Sequence, residues 1–167
     1  MNHIREWTVT DARDLAMAIN NEKVQDNLRD GIPFPYTEKD AEDYIRHVLG
    51  APAGSAYFWA IHDNKRAIGS ISVMRKDNIH GRTGEMGYYI AEPCWGKGIM
   101  TNAVREACDY VFMNTDIVRI FAEPFSHNAA SCRVLEKAGF QKLTVLNKAA
   151  IKNGQIINLH YYELLAP

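Results

Sequence analysis

The amino-acid sequence predicts an α/β fold with a mixed sheet, its elements running β-α-α-β-β-β-α-β-α-β-β, and with residues 1–167 forming a single domain. Three observations predict it. Apolar residues spaced three and four apart mark helices, and between them short apolar runs bounded by turn residues mark strands. A glycine-rich turn, Gly96-Lys97-Gly98, joins an apolar strand directly to one of those helices. Near the C-terminus, Asn153-Gly154 is a strong two-residue hairpin signal.

Ile4 to Val9 reads as the first strand. Thr10 or Asp11 then caps a helix carrying Ala12, Leu15, Ala18 and Ile19 on one face. From about Asn20 to Tyr36 the periodicity is weak, and Gly31, Pro33 and Pro35 interrupt it. A connection of this length inside a compact domain is functional or partly helical. Thr37 and Asp40 open the second helix, whose stripe is Ala41, Tyr44, Ile45, Val48 and Leu49, and Gly50 to Ser55 end it. Ala56 to Ile61 and Ala67 to Met74 are strands about the polar turn Asp63-Asn64-Lys65. A more exposed hairpin at Asp77 to Arg82 leads into the strand Glu85 to Ile90. After the glycine turn comes a helix with Met100, Ala103, Val104, Ala107 and Val111 on its apolar face, ending near Asn114. Val118 to Glu123 is the next strand, followed by a helix opening at Asn128. Gln141 to Ile151 and Gln155 to Leu164 close the chain as a hairpin.

Composition excludes several classes of function. Lys and Arg number 19 against 20 Asp and Glu, mixed along the chain for a net charge of −1. No basic block tracks a nucleic-acid backbone, so no nucleic-acid partner is expected. The N-terminal stretch reads as neither signal peptide nor membrane span, and no later apolar run is long enough to cross a bilayer, so no membrane partner is expected. Cys94, Cys108 and Cys132 are widely separated and odd in number, which suits reduced thiols in a cytoplasm. The histidines lack the paired spacing that puts two imidazoles on one helix face, so no metal is expected. A homodimer is left open.

The glycine turn carries the most chemistry. Glycines let backbone approach a ligand closely, and a helix start leaves N–H groups without partners at the positive end of its dipole. Together they make an anion site of the kind that holds phosphate or pyrophosphate. A dinucleotide fingerprint would need a glycine where Thr101 stands, and an ATP-type loop would need Lys after its second glycine, whereas Lys97 precedes Gly98. Downstream, Asn128-Ala-Ala-Ser131-Cys-Arg-Val-Leu135-Glu-Lys137-Ala-Gly139-Phe140 reads as a capped helix. Asn128 stands at its start, Gly139 at the left-handed position after it, and Phe140 folds back as a hydrophobic cap.

Taken together, these two motifs resemble the GNAT superfamily of acetyl-CoA-dependent N-acetyltransferases. Trp95-Gly-Lys-Gly-Ile-Met100 is similar to its pyrophosphate loop, and Asn128 to Phe140 to its following strand–helix motif. Asp30-Gly-Ile-Pro-Phe-Pro-Tyr-Thr37 and Glu85-Met-Gly-Tyr-Tyr-Ile90 resemble the branch of ribosomal-protein N-terminal acetyltransferases. The resemblance implies a mixed sheet flanked by helices on both faces, with the fourth and fifth strands splayed to admit the pantetheine arm. It implies acetyl-CoA as co-substrate and a primary amine as acceptor, on a small molecule or a protein N-terminus. The co-substrate residues it implies are Tyr89, Ile90, Trp95, Gly96, Lys97, Gly98, Ile99, Met100, Thr101, Asn128 and Ser131.

For catalysis, an ammonium has no lone pair, so an amine acceptor needs a base near neutral pH. Glu85, sharing a strand face with Gly87 and Tyr89, is the candidate. A backbone N–H at the end of that strand suits the oxyanion. Many relatives carry a tyrosine as acid four residues after the place held here by Ser131. This chain has Leu135 there, so Ser131 becomes the candidate to stabilise the departing thiolate. Trp95 and Met100 also depart from the superfamily pattern without removing backbone donors. Phe34, Tyr36, Phe58, Trp59 and Tyr89 are candidates to wall the acceptor pocket. The rival reading is a catalytically weak or inactive acyl-CoA-binding module for sensing or assembly.

Overall fold

The computed structural model describes residues 3–167. Among them the strands are β1 (Ile4–Arg5), β2 (Ala56–His62), β3 (Ala67–Arg75), β4 (Thr83–Ile90), β5 (Arg119–Ala122), β6 (Gln141–Lys152) and β7 (Gln155–Leu165). The helices are α1 (Ala12–Ile19), α2 (Glu22–Gln25), α3 (Glu38–Leu49), α4 (Ile99–Asn114) and α5 (Ala129–Lys137). The strands form one sheet in the order β1-β2-β3-β4-β5-β7-β6. Neighbours are antiparallel apart from the parallel pair β4 and β5. The mixed α/β fold expected from the sequence is the one observed.

Strand alternation divides the core into two layers. Ala60 packs with Trp7, Leu15, Ile19, Ala41, Ile45 and Val48, under α1 and α3. Its neighbour Ile61 faces the other way and joins the layer of Ile71, Val73, Met86, Ile90, Ala103, Val104, Ala107, Val111 and Leu135, under α4 and α5. Burying a side chain such as Leu15 or Ile45 contributes roughly 1.5–3 kcal/mol, so each helix is held mainly by its apolar stripe.

Local signals are obeyed closely where their chemistry is local. Thr37 Oγ1 accepts the Asp40 N–H at 3.1 Å while the Asp40 carboxylate accepts the Thr37 N–H at 2.8 Å, a reciprocal cap that starts α3. Asn153 and Gly154 both have positive φ, 50° and 76°, as a tight turn matched to strand twist requires. Phe140 is buried and its N–H bonds back to Leu135 O at 3.0 Å, closing α5.

The first strand is shorter than expected. β1 ends at Arg5 because Trp7 turns into the core and Asp11 gathers the chain behind it. The Asp11 carboxylate accepts the Thr8 N–H at 2.9 Å and two hydrogen bonds from the Arg5 guanidinium at 2.7 and 2.8 Å. Residues 9–11 thus form a 3-10 turn instead of strand. The long 20–36 connection is partly helical: Asn21 caps the short α2 by accepting the Val24 N–H at 3.2 Å.

One topological feature positions the site. β4 pairs with β3 along its length to Ile90, but with β5 only through Thr83–Glu85 opposite Arg119–Phe121. Beyond Glu85 the sheet splits, leaving the last part of β4 with an open edge.

Candidate functional site

The glycine turn follows the C-terminal end of β4, beside the split. Gly96 and Gly98 have φ of 73° and 77°, in the left-handed region, and Gly98 is the residue from which α4 begins. A Cβ built on either glycine would meet no atom within 4 Å, so the space in front of both is open. Asn102 N–H closes the first helical turn on Gly98 O at 3.2 Å. The N–H groups of Ile99, Met100 and Thr101 therefore lie outside the helical ladder, at the positive end of the dipole. The Trp95 indole N–H donates to Ile90 O at 2.9 Å, tying the turn back to β4. Met100 is buried in the core, so its bulk faces away from the turn. Backbone donors beside two glycines with open space in front of them fit a pyrophosphate.

The open edge of β4 supplies the next donors. Lys76 N–H bonds to Thr83 O and Ala91 N–H to Ile68 O, which fixes the alternation of β4 backbone groups. Odd-numbered residues face β3, so the N–H groups of Tyr88 and Ile90 turn into the split. Tyr89, expected among the co-substrate residues, has its backbone on β3. Its side chain lies on the α1–α3 face.

Glu85 stands where the split begins, and its side chain is mostly buried. One carboxylate oxygen meets the Arg29 guanidinium from the 20–36 connection, and the other accepts from Lys76 Nζ at 3.2 Å. Just past β5, Glu123 lies close enough for electrostatic repulsion from Glu85. Burial, then that repulsion, holds the Glu123 carboxyl above its ordinary value, with Arg29 and Lys76 opposing. Sequence reasoning named Glu85 and missed Glu123, which carried no local signal beyond its place at a strand end.

Ser131 sits in the first turn of α5, and Asn128 Oδ1 accepts its N–H at 3.1 Å. Asn128 is thus the helix cap, with its amide NH2 a further donor. Ser131 Oγ is 2.8 Å from Tyr88 Oη, and Tyr88 Oη also reaches Ser131 O at 3.3 Å. Leu135, where many relatives carry a tyrosine, is wholly buried in the core. Burial raises the Tyr88 phenol well above its ordinary value, so it stays protonated.

On the α1–α3 face a hollow of about 320 Å³ is lined by Ile32, Pro33, Tyr36, Tyr44 and Tyr89, with Asp40 and Asp43 among its walls. Burial pushes the Tyr36 phenol up to about 12 and raises Tyr44 and Tyr89 as well, so all three are neutral donors. Three expected wall residues fall elsewhere. Phe34 is 57% exposed and outside the hollow. Trp59 faces the other layer, where it packs on Tyr57 and Tyr110 because strand alternation sets it opposite to Phe58. Phe58 itself packs against the α1–α3 layer as core.

Residues 3–141 match the family described as Acetyltransferase (GNAT) domain. The chain is 40% identical over 89 residues to the probable N-acetyltransferase YjcK of Bacillus subtilis (strain 168), covering 53% of this chain and 49% of the other. It thus spans about half the length of that curated relative. Its fold is similar to that of a ribosomal-protein-S5-alanine acetyltransferase from Vibrio fischeri, with TM-score 0.88 and 21% identity over 99% of this chain and 94% of that one. It is also similar to the spermidine N-acetyltransferase from Vibrio cholerae, solved with CoA and spermine, with TM-score 0.80 and 21% identity over 98% and 94% of the two chains. The matched stretch takes in the split sheet, the glycine turn and α5 together, and by that match the chain belongs to the GNAT acetyltransferase family.

Proposed function

We propose that this chain transfers the acetyl group of acetyl-CoA to a primary amine, borne by a small molecule or a protein N-terminus. The observation that carries the reading is the juxtaposition of open glycine-turn donors with a split in the sheet. Gly96, Lys97, Gly98, Ile99, Met100 and Thr101 would hold the pyrophosphate through backbone N–H groups, with Trp95 fixing the turn. Ile90 and Asn128 would line the arm. Bound there, acetyl-CoA supplies an acetyl group already activated as a thioester.

The chain's own residues do the rest. The Tyr88 and Ile90 N–H groups, fixed by the β-ladder, favour negative charge developing in the split. The hollow on the α1–α3 face, with neutral phenols and two aspartates, suits a cationic amine. Glu85 and Glu123 divide the acid–base work. Glu85, already paired with Arg29 and Lys76, is suited to anchor an ammonium that displaces Arg29. Glu123, whose proton affinity is raised, is the better base. Of the two carboxylates Glu85 was the one expected as base, and its ion pairs favour this revised division.

The test is release of free CoA thiol from acetyl-CoA over a panel of primary amines and peptides, with products identified by mass. Amine-dependent release with an acetylated product is expected. CoA binding without any release would overturn the enzyme reading and favour the binding-module rival.

A further inference from the structure

We propose that Tyr88 is a positioning residue for the leaving group, replacing from β4 the tyrosine that α5 lacks at Leu135; the proposal rests on the acetyl-transfer reading above. Ser131 Oγ and Tyr88 Oη are 2.8 Å apart, a full hydrogen bond between residues 43 apart in sequence. Strand alternation explains how they meet. The Tyr88 N–H turns into the split, while its side chain leaves the sheet on the α4–α5 side, where its ring packs against that core layer. The phenol thereby spans from β4 to the first turn of α5, beside the place where β4 and β5 part. Its ring packs on that apolar layer, with Ser131 and the thiols of Cys108 and Cys132 nearby.

A lone serine hydroxyl rotates freely and donates to whichever acceptor is nearest. Ser131 has one such acceptor close by in Tyr88 Oη itself. When Tyr88 donates to Ser131 Oγ, that competition ends, and the Ser131 proton is free to point at a ligand. The chain of donation, Tyr88 O–H to Ser131 Oγ and Ser131 O–H onward, also polarises the second bond. In acetyl transfer the amine nitrogen forms its bond to the acetyl carbon as the carbon–sulfur bond breaks. The electron pair stays on sulfur, the amine proton goes to carboxylate or water, and CoA leaves as a thiolate that solvent protonates. The hydroxyl pair transfers no proton. It donates to sulfur as charge arrives there, in a setting where a charge-assisted hydrogen bond is strong.

The contact at 3.3 Å to Ser131 O offers the plain alternative, in which Tyr88 merely pins α5 to β4. The two roles differ in what they do to bound CoA. Thiolate absorbance of the CoA complex, recorded against pH as a difference from the desulfo-CoA complex, removes the signal of Cys94, Cys108 and Cys132. The bound CoA thiol is expected to titrate about one pH unit below a free thiol near 8.5, and Tyr88→Phe to return most of that shift. Turnover in Tyr88→Phe should fall about tenfold with KM for acetyl-CoA unchanged. In the Ser131→Ala background the same change should add almost nothing, because the two act as one unit. Ser131→Thr, which keeps a hydroxyl, should recover part of the shift.

An unshifted CoA thiol in the wild type, an unchanged thiol in folded Tyr88→Phe, or additive losses in the double variant would each overturn the role of Tyr88 while leaving acetyl transfer intact. Failure of the wild type to bind CoA would overturn the acetyl-transfer reading itself, and Tyr88's role with it. If Tyr88→Phe does not fold, the wild-type and Ser131→Ala titrations still decide. A thiol shift that persists undiminished in Ser131→Ala removes the relay.

Discussion

Gly98→Val separates the cost of a backbone conformation from the loss of a ligand, because the protein carries its own control. Gly98 has φ of 77° and Gly54 has φ of 79°, and a Cβ on either meets nothing within 4 Å. Valine at either position therefore pays the same conformational penalty, about 1–2 kcal/mol for an L-residue held left-handed. For a chain of this size that lowers Tm by about 2–4 °C per kcal/mol in both variants. Their positions differ. Gly54 precedes β2, whose start pairs with the end of β3 and so lies at the end of the sheet where β4 begins. The glycine turn follows the other end of β4. At Gly98 the added isopropyl group would stand in front of the free N–H groups of α4 and hold a pyrophosphate away from them. Losing one or two charge-assisted hydrogen bonds of about 1.5–3 kcal/mol weakens binding by at least about tenfold. Thermal melts and calorimetric titration with CoA should show equal destabilisation but a CoA affinity lost in Gly98→Val alone. Equal CoA affinity in the two folded variants would refute the turn as the anion site.

Glu123→Gln tests the raised carboxyl directly. Such a group binds its proton more tightly folded than unfolded, so stability falls as pH rises through the window above the ordinary value of 4.5. The variant should melt higher than wild type at pH 7, with the advantage vanishing near pH 4, and its turnover should fall at neutral pH and recover as the amine deprotonates unaided. Glu85→Gln should instead raise KM for a cationic amine more than it lowers kcat, and equal kcat losses in both variants would deny the division of labour. Ser131→Ala should leave Tm nearly unchanged, because Asn128 still accepts the N–H at position 131. Its turnover should drop about 10-fold to 100-fold at unchanged CoA affinity, the loss of one bond of roughly 1.5–3 kcal/mol. Arg29→Ala removes an exposed partner and should change stability by less than about 1 kcal/mol. It should also lower KM for a cationic acceptor several-fold by freeing Glu85, as steady-state kinetics would read.

Sequence made visible those features whose cause lies within a few residues. The Thr37–Asp40 cap, the Asn153-Gly154 turn and the glycine start of α4 each need only neighbouring atoms, and each stands where the residues said it would. Ile4 to Val9 misled for the opposite reason. Nothing local shows that Trp7 is drawn into a core made by α1 and α3, or that Asp11 reaches back to Arg5. Tyr88 and Tyr89 make the limit plain. Alternation guarantees that these adjacent, identical side chains face opposite sides of the sheet, but not which side will meet α5. That depends on where the chain after β5 crosses, a topological choice spread over a sequence separation of 43 between Tyr88 and Ser131. The pairs Tyr88 with Ser131 and Arg29 with Glu85 therefore depend on tertiary placement, of α5 after β5 and of the 20–36 connection against β4. The motif residues shape the glycine turn, while the side chains that gather around it are chosen by the split in the sheet.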